Sequence, residues 1–276
     1  MDDKYGLAVT AITELNYSST NTYLIEGDNG TILFDTGWAG TFTSFCRALG
    51  YLSKKLQSID YILISHFHPD HMGIAQEIAD LGPAIAVFDV QRSFIHSSDD
   101  IFARDKKNDF YPVKDDEVKI IAVNESRQFL KTLGISGEII HTPGHSDDSI
   151  SLWLDEGILF VGDLNPLYEL EIHKGTQVEE SWNRLLKLNP KMIYYGHAKM
   201  AVIDDGSSVI KKQKNAELCK LVSRIIKYID KGYSVERIEK KTGAGETFIE
   251  DVNRMYLTHQ NVGVQGILDR IEIKGK

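Results

Sequence analysis

Four short apolar runs, each ending in a polar residue or a glycine-led turn, constrain the fold of this chain more than any other feature. Thr31-Ile32-Leu33-Phe34 runs into Asp35, and Tyr61-Ile62-Leu63-Ile64 runs into Ser65-His66. Gly157-Ile158-Leu159-Phe160-Val161 runs into Gly162-Asp163, and Met192-Ile193-Tyr194-Tyr195 runs into Gly196-His197. Runs of this length bounded by turn residues read as buried strands of a layered fold. Each delivers a polar residue at its C-terminal end, which suits a site built on loops at one edge of rigid sheets. Between the runs, helical spacing predicts helices at roughly Thr41 to Leu52, Gly73 to Leu81 and Val178 to Leu188.

The densest polar motif follows the second run. Ser65-His66-Phe67-His68-Pro69-Asp70-His71 holds three histidines and a carboxylate within six residues, and imidazole with carboxylate suits zinc, iron or manganese. A lone histidine on an apolar strand reads as packed and hydrogen-bonded; four such groups this close do not read as core. The cluster is too cramped to close one tetrahedral site alone, so further ligands must come from elsewhere. His145, in the turn Thr142-Pro143-Gly144-His145-Ser146, is the first candidate. Asp163 and His197, each following a glycine at a strand end, complete a set large enough for two metals, with one carboxylate able to bridge.

The sequence HFHPDH at residues 66–71 matches the HxHxDH motif of the metallo-β-lactamase superfamily. The remaining motifs follow in family order: the turn at Asp35, TPGH ending at His145, GD at Asp163 and GH at His197. Over about residues 5 to 205 the chain resembles that superfamily. The resemblance implies an α+β fold, a four-layer αβ/βα sandwich with a C-terminal helical, winged-helix-like appendage. It divides the chain into a catalytic domain at 1–206 and a C-terminal domain at 207–276. It implies two divalent metal ions, zinc foremost, with iron or manganese compatible with the same ligands. His66, His68 and His145 would hold one ion, Asp70, His71 and His197 the other, and Asp163 would bridge them. Asp35 is expected behind the ligands, accepting a hydrogen bond from a ligand histidine and fixing its tautomer. A hydroxide shared by the metals would be the nucleophile, with Asp70 orienting it. Tyr168, His173 and Tyr195, and with them Asp148 and Ser149, lie on loops next to ligands and are candidates to line a substrate pocket; packing is their plainer reading. His141 reads as structural, and His96 and His259 carry no motif.

A hydrophobic content of 42% is ample for a core. The start at Met1-Asp2-Asp3-Lys4 has no basic leader, and no apolar run approaches the ~18 residues of a membrane span, so a cytoplasmic protein without a membrane partner is expected. Cys46 and Cys219 read as two reduced, packed thiols. The net charge of −9 hides an asymmetry: residues 207–276 carry +5 and residues 1–206 carry −14. The tail predicts a long helix from Val209 to Lys231, a short one between Ser234 and Gly243, and two more near Glu246 to His259 and Val262 to Arg270.

The superfamily's fold supports thioester, lactone, β-lactam and phosphodiester hydrolysis and some redox chemistry, so fold alone names no substrate. The acidic residue at Asp163 argues against true β-lactamases, and the intact HxHxDH motif against the diiron oxygen-reducing relatives. Spacings of 18 residues from His145 to Asp163 and 34 from Asp163 to His197 leave no room for the inserted domain of the long processing nucleases. What remains is a dinuclear hydrolase of a small-molecule ester, thioester or lactone. The alternative is a phosphodiesterase or single-strand endoribonuclease whose basic tail contacts nucleic acid. A DNA-binding regulator built on helix-turn-helix-like elements around Ser234 to Thr258 is a third reading. Against nucleic acid, no aromatic platform interleaved with basic residues is readable in the tail, where Tyr228, Tyr233, Phe248 and Tyr256 read as core. A pocket-covering role, or a homodimer formed through the tail, is as consistent.

Overall fold

A computed structural model describes residues 11–104, 109–203 and 216–258, together with 264, 266–268 and 271. Two mixed sheets are formed. The first runs in the order β1 (Ala11–Leu15), β2 (Thr22–Glu26), β3 (Thr31–Phe34), β4 (Tyr61–Leu63), β5 (Ala84–Phe88) and β6 (Val118–Ile121). Its first three strands are antiparallel neighbours, and β3 to β6 pair in parallel. The second contains β7 (Gly137–His141), β8 (Ile150–Leu154), β9 (Ile158–Phe160), β10 (Met192–Tyr194) and β11 (Ala201–Val202), with only the β9–β10 pair parallel. The body carries helices α1 (Phe42–Tyr51), α2 (Pro69–Met72), α3 (Ala75–Ala79), α4 (Asp99–Arg104), α5 (Ser126–Thr132) and α6 (Gln177–Leu185).

Period-two alternation inside the apolar runs sets the layers, because successive strand residues face opposite sides of a sheet. Ile32 and Phe34 face the second sheet and meet Ile139, Leu152 and Phe160 there. Leu33, between them, faces away and packs with Phe45 of α1 and Ile78 of α3. On the second sheet Ile158 and Phe160 point inward. Leu159 and Val161 point outward against Val178, Trp182 and Leu185 of α6. The layering is therefore helix, sheet, sheet, helix. Strands buried on both faces need apolar residues at every position, which is why these runs are continuous rather than alternating. Phe160 joins the layers: its ring lies 5.2 Å from Tyr23, 5.7 Å from Phe34 and 4.8 Å from Tyr194.

In the tail, α7 (Ala216–Ile229), α8 (Val235–Thr242) and α9 (Glu246–Thr258) enclose a core of their own around Val222, Ile225, Ile238, Ile249 and Val252. Ser234 caps the start of α8, accepting from the Arg237 amide, and Gly243 ends it at φ 73°, a left-handed conformation that glycine adopts at little cost. The expected boundary after Gly206, the start of the long helix at Val209, His259 and most of the stretch Val262 to Arg270 lie outside the described residues. Among the described residues no helix is long and apolar enough to cross a membrane.

Phe160 is fully buried, whereas Val202 is 58% exposed. Phe160→Ala is expected to lower the unfolding free energy by about 3–5 kcal/mol in a denaturant titration, and Val202→Ala to change it by less than about 0.5 kcal/mol.

Candidate metal centre

The four strand ends and one turn converge on a single locus. After β4, Phe67 enters the apolar layer beneath α1 and α3, while His66 and His68 come together with ring centres 4.4 Å apart. Pro69 occupies the first turn of α2 and disfavours helix at the residue before it, and His68 is accordingly extended at φ −77°, ψ 153°. The first turn of α2 then presents Asp70 and His71. The β7–β8 turn supplies His145, the end of β9 Asp163, and the end of β10 His197. Gly196 is required beside His197: a Cβ there would lie 2.7 Å from Asp163 Oδ1 and 2.9 Å from His71 Cε1.

Three overlapping triads result, each with ligand atoms within 4.8 Å of one another: His66, His68 and His145; His66, His71 and Asp163; Asp70, His71 and His197. His145 Nε2 lies 3.1 Å from His68 Nδ1, and His197 Nε2 lies 2.8 Å from Asp70 Oδ2. Asp163 sits between the outer groups. Its Oδ1 is 3.3 Å from His71 Nε2, and its Oδ2 is 3.6 Å from His145 Nε2 and equally from His197 Nε2. Metal–nitrogen bonds of about 2.0–2.1 Å in tetrahedral array imply ligand-to-ligand edges of about 3.3 Å, so these separations suit donors around a shared ion. His66 Nε2, His71 Nε2 and Asp163 Oδ1 are buried without a hydrogen-bond partner. Such unpartnered polar atoms carry a large desolvation cost that a bound cation would relieve.

Behind the ligands, fixed partners select the tautomers. Asp35 Oδ2 accepts from His71 Nδ1 at 2.8 Å and from Ser65 Oγ at 2.9 Å, while Oδ1 accepts from the Ser65 amide at 2.7 Å. Proton occupancy at His71 Nδ1 leaves Nε2 turned toward the cluster. His197 Nδ1 donates to the Ser19 carbonyl at 3.0 Å, leaving its Nε2 for the same space. Thr20 Oγ1 donates to the Asp70 carbonyl, and Asn21 Nδ2 holds the carbonyls of Tyr195 and Ala198 on either side of His197.

The electrostatics divide the ligands. Burial, reinforced by the imidazoles of His71, His145 and His68, pushes His66 well below the ordinary histidine range. Burial likewise lowers His145 to about 4, against the opposing pull of Asp163. For His71 burial also acts downward, but Asp163, Asp35 and Asp70 outweigh it and hold the group well above the usual range. Asp70 and Asp163 are pulled well below the carboxylate range; burial opposes this, and the histidines His71 and His197 overcome it.

Of the residues expected to line a pocket, Tyr195, Asp148 and Ser149 have packing or loop-holding roles. Tyr195 is buried in the layer with Trp182, its ring 6.4 Å away, so its side chain packs and its carbonyl serves as an anchor. Asp148 clamps the ligand loop, accepting from the Phe67 amide at 2.7 Å and from Ser146 Oγ. Ser149 is buried, its carbonyl taking the Thr142 amide. His173 is buried with Nε2 unpartnered, and burial lowers its pKa. The Tyr168 side chain lies outside the described residues. His141 holds the Asp147 carbonyl, and His96 bridges Asp99 and Asp115 at the surface. Ser65, Thr20, Asn21 and the Ser19 carbonyl are not among the residues the sequence singles out; only the adjacency of Ser65 to His66 could have signalled any of them.

A family model described as the metallo-beta-lactamase superfamily matches residues 15–197. The chain belongs to the metallo-beta-lactamase superfamily. It is 30% identical over 193 residues to the beta-lactamase-like protein 2 homolog of Drosophila melanogaster, covering 67% of this chain and 61% of that one. An atrochrysone carboxyl ACP thioesterase of Claviceps purpurea is 24% identical over 156 residues, 54% of this chain and 41% of its own length. The chain spans about three fifths of the length of the curated relatives it matches first. A metallo-beta-lactamase family protein of Thermus thermophilus superposes with a TM-score of 0.52 at 17% identity over 98% of this chain and 95% of that one, and so shares the superfamily fold.

Asp35→Asn replaces the acceptor behind His71 and is expected to weaken metal binding by about ten- to a hundredfold in a competition titration with a chromophoric chelator. In the metal-free protein, His145 binds its proton at about 4 when folded, against 6.5 for an unperturbed histidine. A depressed folded pKa favours folding above 6.5 and loses that advantage as the pH falls towards 4. With the metal chelated, His145→Gln should therefore lose about 3 kcal/mol less stability than the parent between about pH 7 and pH 4, read from urea unfolding at both values.

Proposed function

We propose that this chain is a dinuclear metal-dependent hydrolase of a small ester, thioester or lactone. The observation that carries the reading is the position of Asp163, whose Oδ2 stands 3.6 Å from both His145 Nε2 and His197 Nε2. One carboxylate thus faces two sets of donors, His66, His68 and His145 on one side and Asp70, His71 and His197 on the other. Two divalent ions there, zinc foremost, would supply a water acidified from ~16 towards ~7 and a Lewis acid for the substrate's carbonyl oxygen. The residues do the rest. His66 and His145, neutral at pH 7, present free lone pairs. Asp70, ionised and 24% exposed, is a carboxylate able to orient a water by accepting its hydrogen bond. Asp35, Ser65 and the Ser19 carbonyl hold imidazoles in register, so little reorganisation remains when the substrate arrives. A catalytic body ending near Gly206, followed by a separately cored helical domain, is the organisation we adopt.

The acyl preference draws support from the thioesterase name borne by the Claviceps purpurea relative. Its test is the full chain, loaded in turn with zinc, iron(II) and manganese, assayed side by side on a thioester, a lactone and bis(p-nitrophenyl) phosphate, each with a chelated control. Chelator-sensitive turnover of the acyl substrates is expected, and His68→Ala and Asp163→Ala should abolish both turnover and metal loading while circular dichroism stays unchanged. Full activity in either variant would overturn the site assignment; cleavage of the phosphodiester alone would overturn the substrate class.

A further inference from the structure

Asp148 is 1% exposed, yet it belongs to none of the three donor triads. A buried carboxylate is costly unless its oxygens are hydrogen-bonded, and here each is taken by a different ligand segment. Oδ2 accepts from the amide of Phe67, the residue between His66 and His68 and 81 positions away in sequence. Oδ1 accepts from the hydroxyl of Ser146, the residue after His145. The Phe67 carbonyl is held in turn by Ser98 Oγ at 2.6 Å and Ser97 Oγ at 3.0 Å, and its ring is buried in the apolar layer. The β7–β8 turn that carries Asp148 is closed on itself. The Ser149 amide donates to the Ser146 carbonyl at 3.2 Å, the Thr142 amide to the Ser149 carbonyl at 2.8 Å, and the His141 ring to the Asp147 carbonyl at 2.7 Å. The Ile150 amide donates to the Ser65 carbonyl at 2.8 Å, so the same turn also meets the residue before His66.

We infer that Asp148 is a positioning residue for one half of the centre: it sets His66 and His68 against His145, and without it that half loosens while Asp70, His71 and His197 stay in place. The ring centres of His66 and His68 lie 4.8 and 4.9 Å from that of His145, across the junction that Asp148 spans. The other half has separate supports, since Asp70 is held through Thr20, His71 through Asp35 and Thr36, and His197 through the Ser19 carbonyl. Metal–ligand distances tolerate only about 0.2 Å of departure from their preferred values, so a turn free to shift by more than that costs affinity at its own ion first. The inference rests on the dinuclear reading and adds to it that the two halves can be weakened one at a time.

Zinc titration of the metal-free full chain, followed by nitrogen NMR of the histidine rings and by competition with a chromophoric chelator, reads the two halves separately. The parent should take two ions. Asp148→Ala should weaken the ion that shifts His66, His68 and His145 by about ten- to a hundredfold, while His71 and His197 respond to zinc as in the parent. Asp148→Asn keeps the shape, an acceptor for the Phe67 amide and, through its NH2, a donor to Ser146 Oγ, and should recover most of that loss. Ser146→Ala removes one of the two tethers and should weaken the same ion by a smaller factor. The inference is overturned by equal weakening of both halves, by no weakening in Asp148→Ala, or by an Asp148→Asn that binds zinc no better than Asp148→Ala. If Asp148→Ala does not fold, Ser146→Ala decides: a loss confined to the three-histidine half supports the inference, and a loss at both halves or neither overturns it. A parent that takes fewer than two ions overturns the dinuclear reading and the inference with it.

Discussion

A single buried carboxylate organises the centre. Asp35 is fully buried and uses both oxygens, taking the Ser65 amide, the Ser65 hydroxyl and His71 Nδ1. Its own backbone is held by the Leu63 carbonyl and sits at φ 62°, a conformation costing an L-residue roughly 1–2 kcal/mol that aspartate tolerates better than most. The next residue, Thr36, donates through both its amide and its hydroxyl to the His71 carbonyl. The end of β3 therefore grips the end of β4 and the start of α2 at once, and His71 is fixed at backbone and side chain by two adjacent residues. A buried carboxylate with so many donors is expensive to disturb, since removing one partner leaves another group desolvated and unpaired.

Much of this is legible in the sequence. The polar termini of the apolar runs belong to strands whose alternation is fixed by the two-sided burial of Leu33, Leu63 and Leu159, and the donor residues are chemically conspicuous. What stays hidden has a common physical character. Thr20, Asn21 and the Ser19 carbonyl act across 50 to 178 residues of sequence through single hydrogen bonds that no local pattern encodes. Tyr195 defeats the pocket expectation because nearness in sequence to His197 says nothing of direction: β10 ends at Tyr194 and the chain bends at Gly196, so Tyr195 packs beside Trp182 while His197 joins the cluster. Tyr228 and Tyr233 fit an apolar helical pattern, and only the turn between α7 and α8 brings their rings face to face beneath Arg237.

Charge divides the chain along the same line as its cores. The acidic body surrounds a cluster of donors suited to cations, whereas the tail carries +5. A polyanion meets a repulsive field from the body at −14 and an attractive one from the tail. Substrates of low charge feel little of that field. Screening acts over about 10 Å at 0.1 M salt, so ionic strength weakens long-range steering far more than contacts within a buried site.

Charge also decides the division among the histidines. Asp35, Asp70 and Asp163 place three carboxylates around His71, and a proton on that imidazole offsets part of their charge. At His66 and His145 burial, with the neighbouring imidazoles, outweighs the pull of Asp163, and both stay neutral. The carboxylates thus favour a proton at His71, while burial keeps His66 and His145 neutral. A dication held here would find unprotonated donors at His66 and His145. At His71 it would take the place of a proton, so the buried carboxylates would keep a counter-charge in either state.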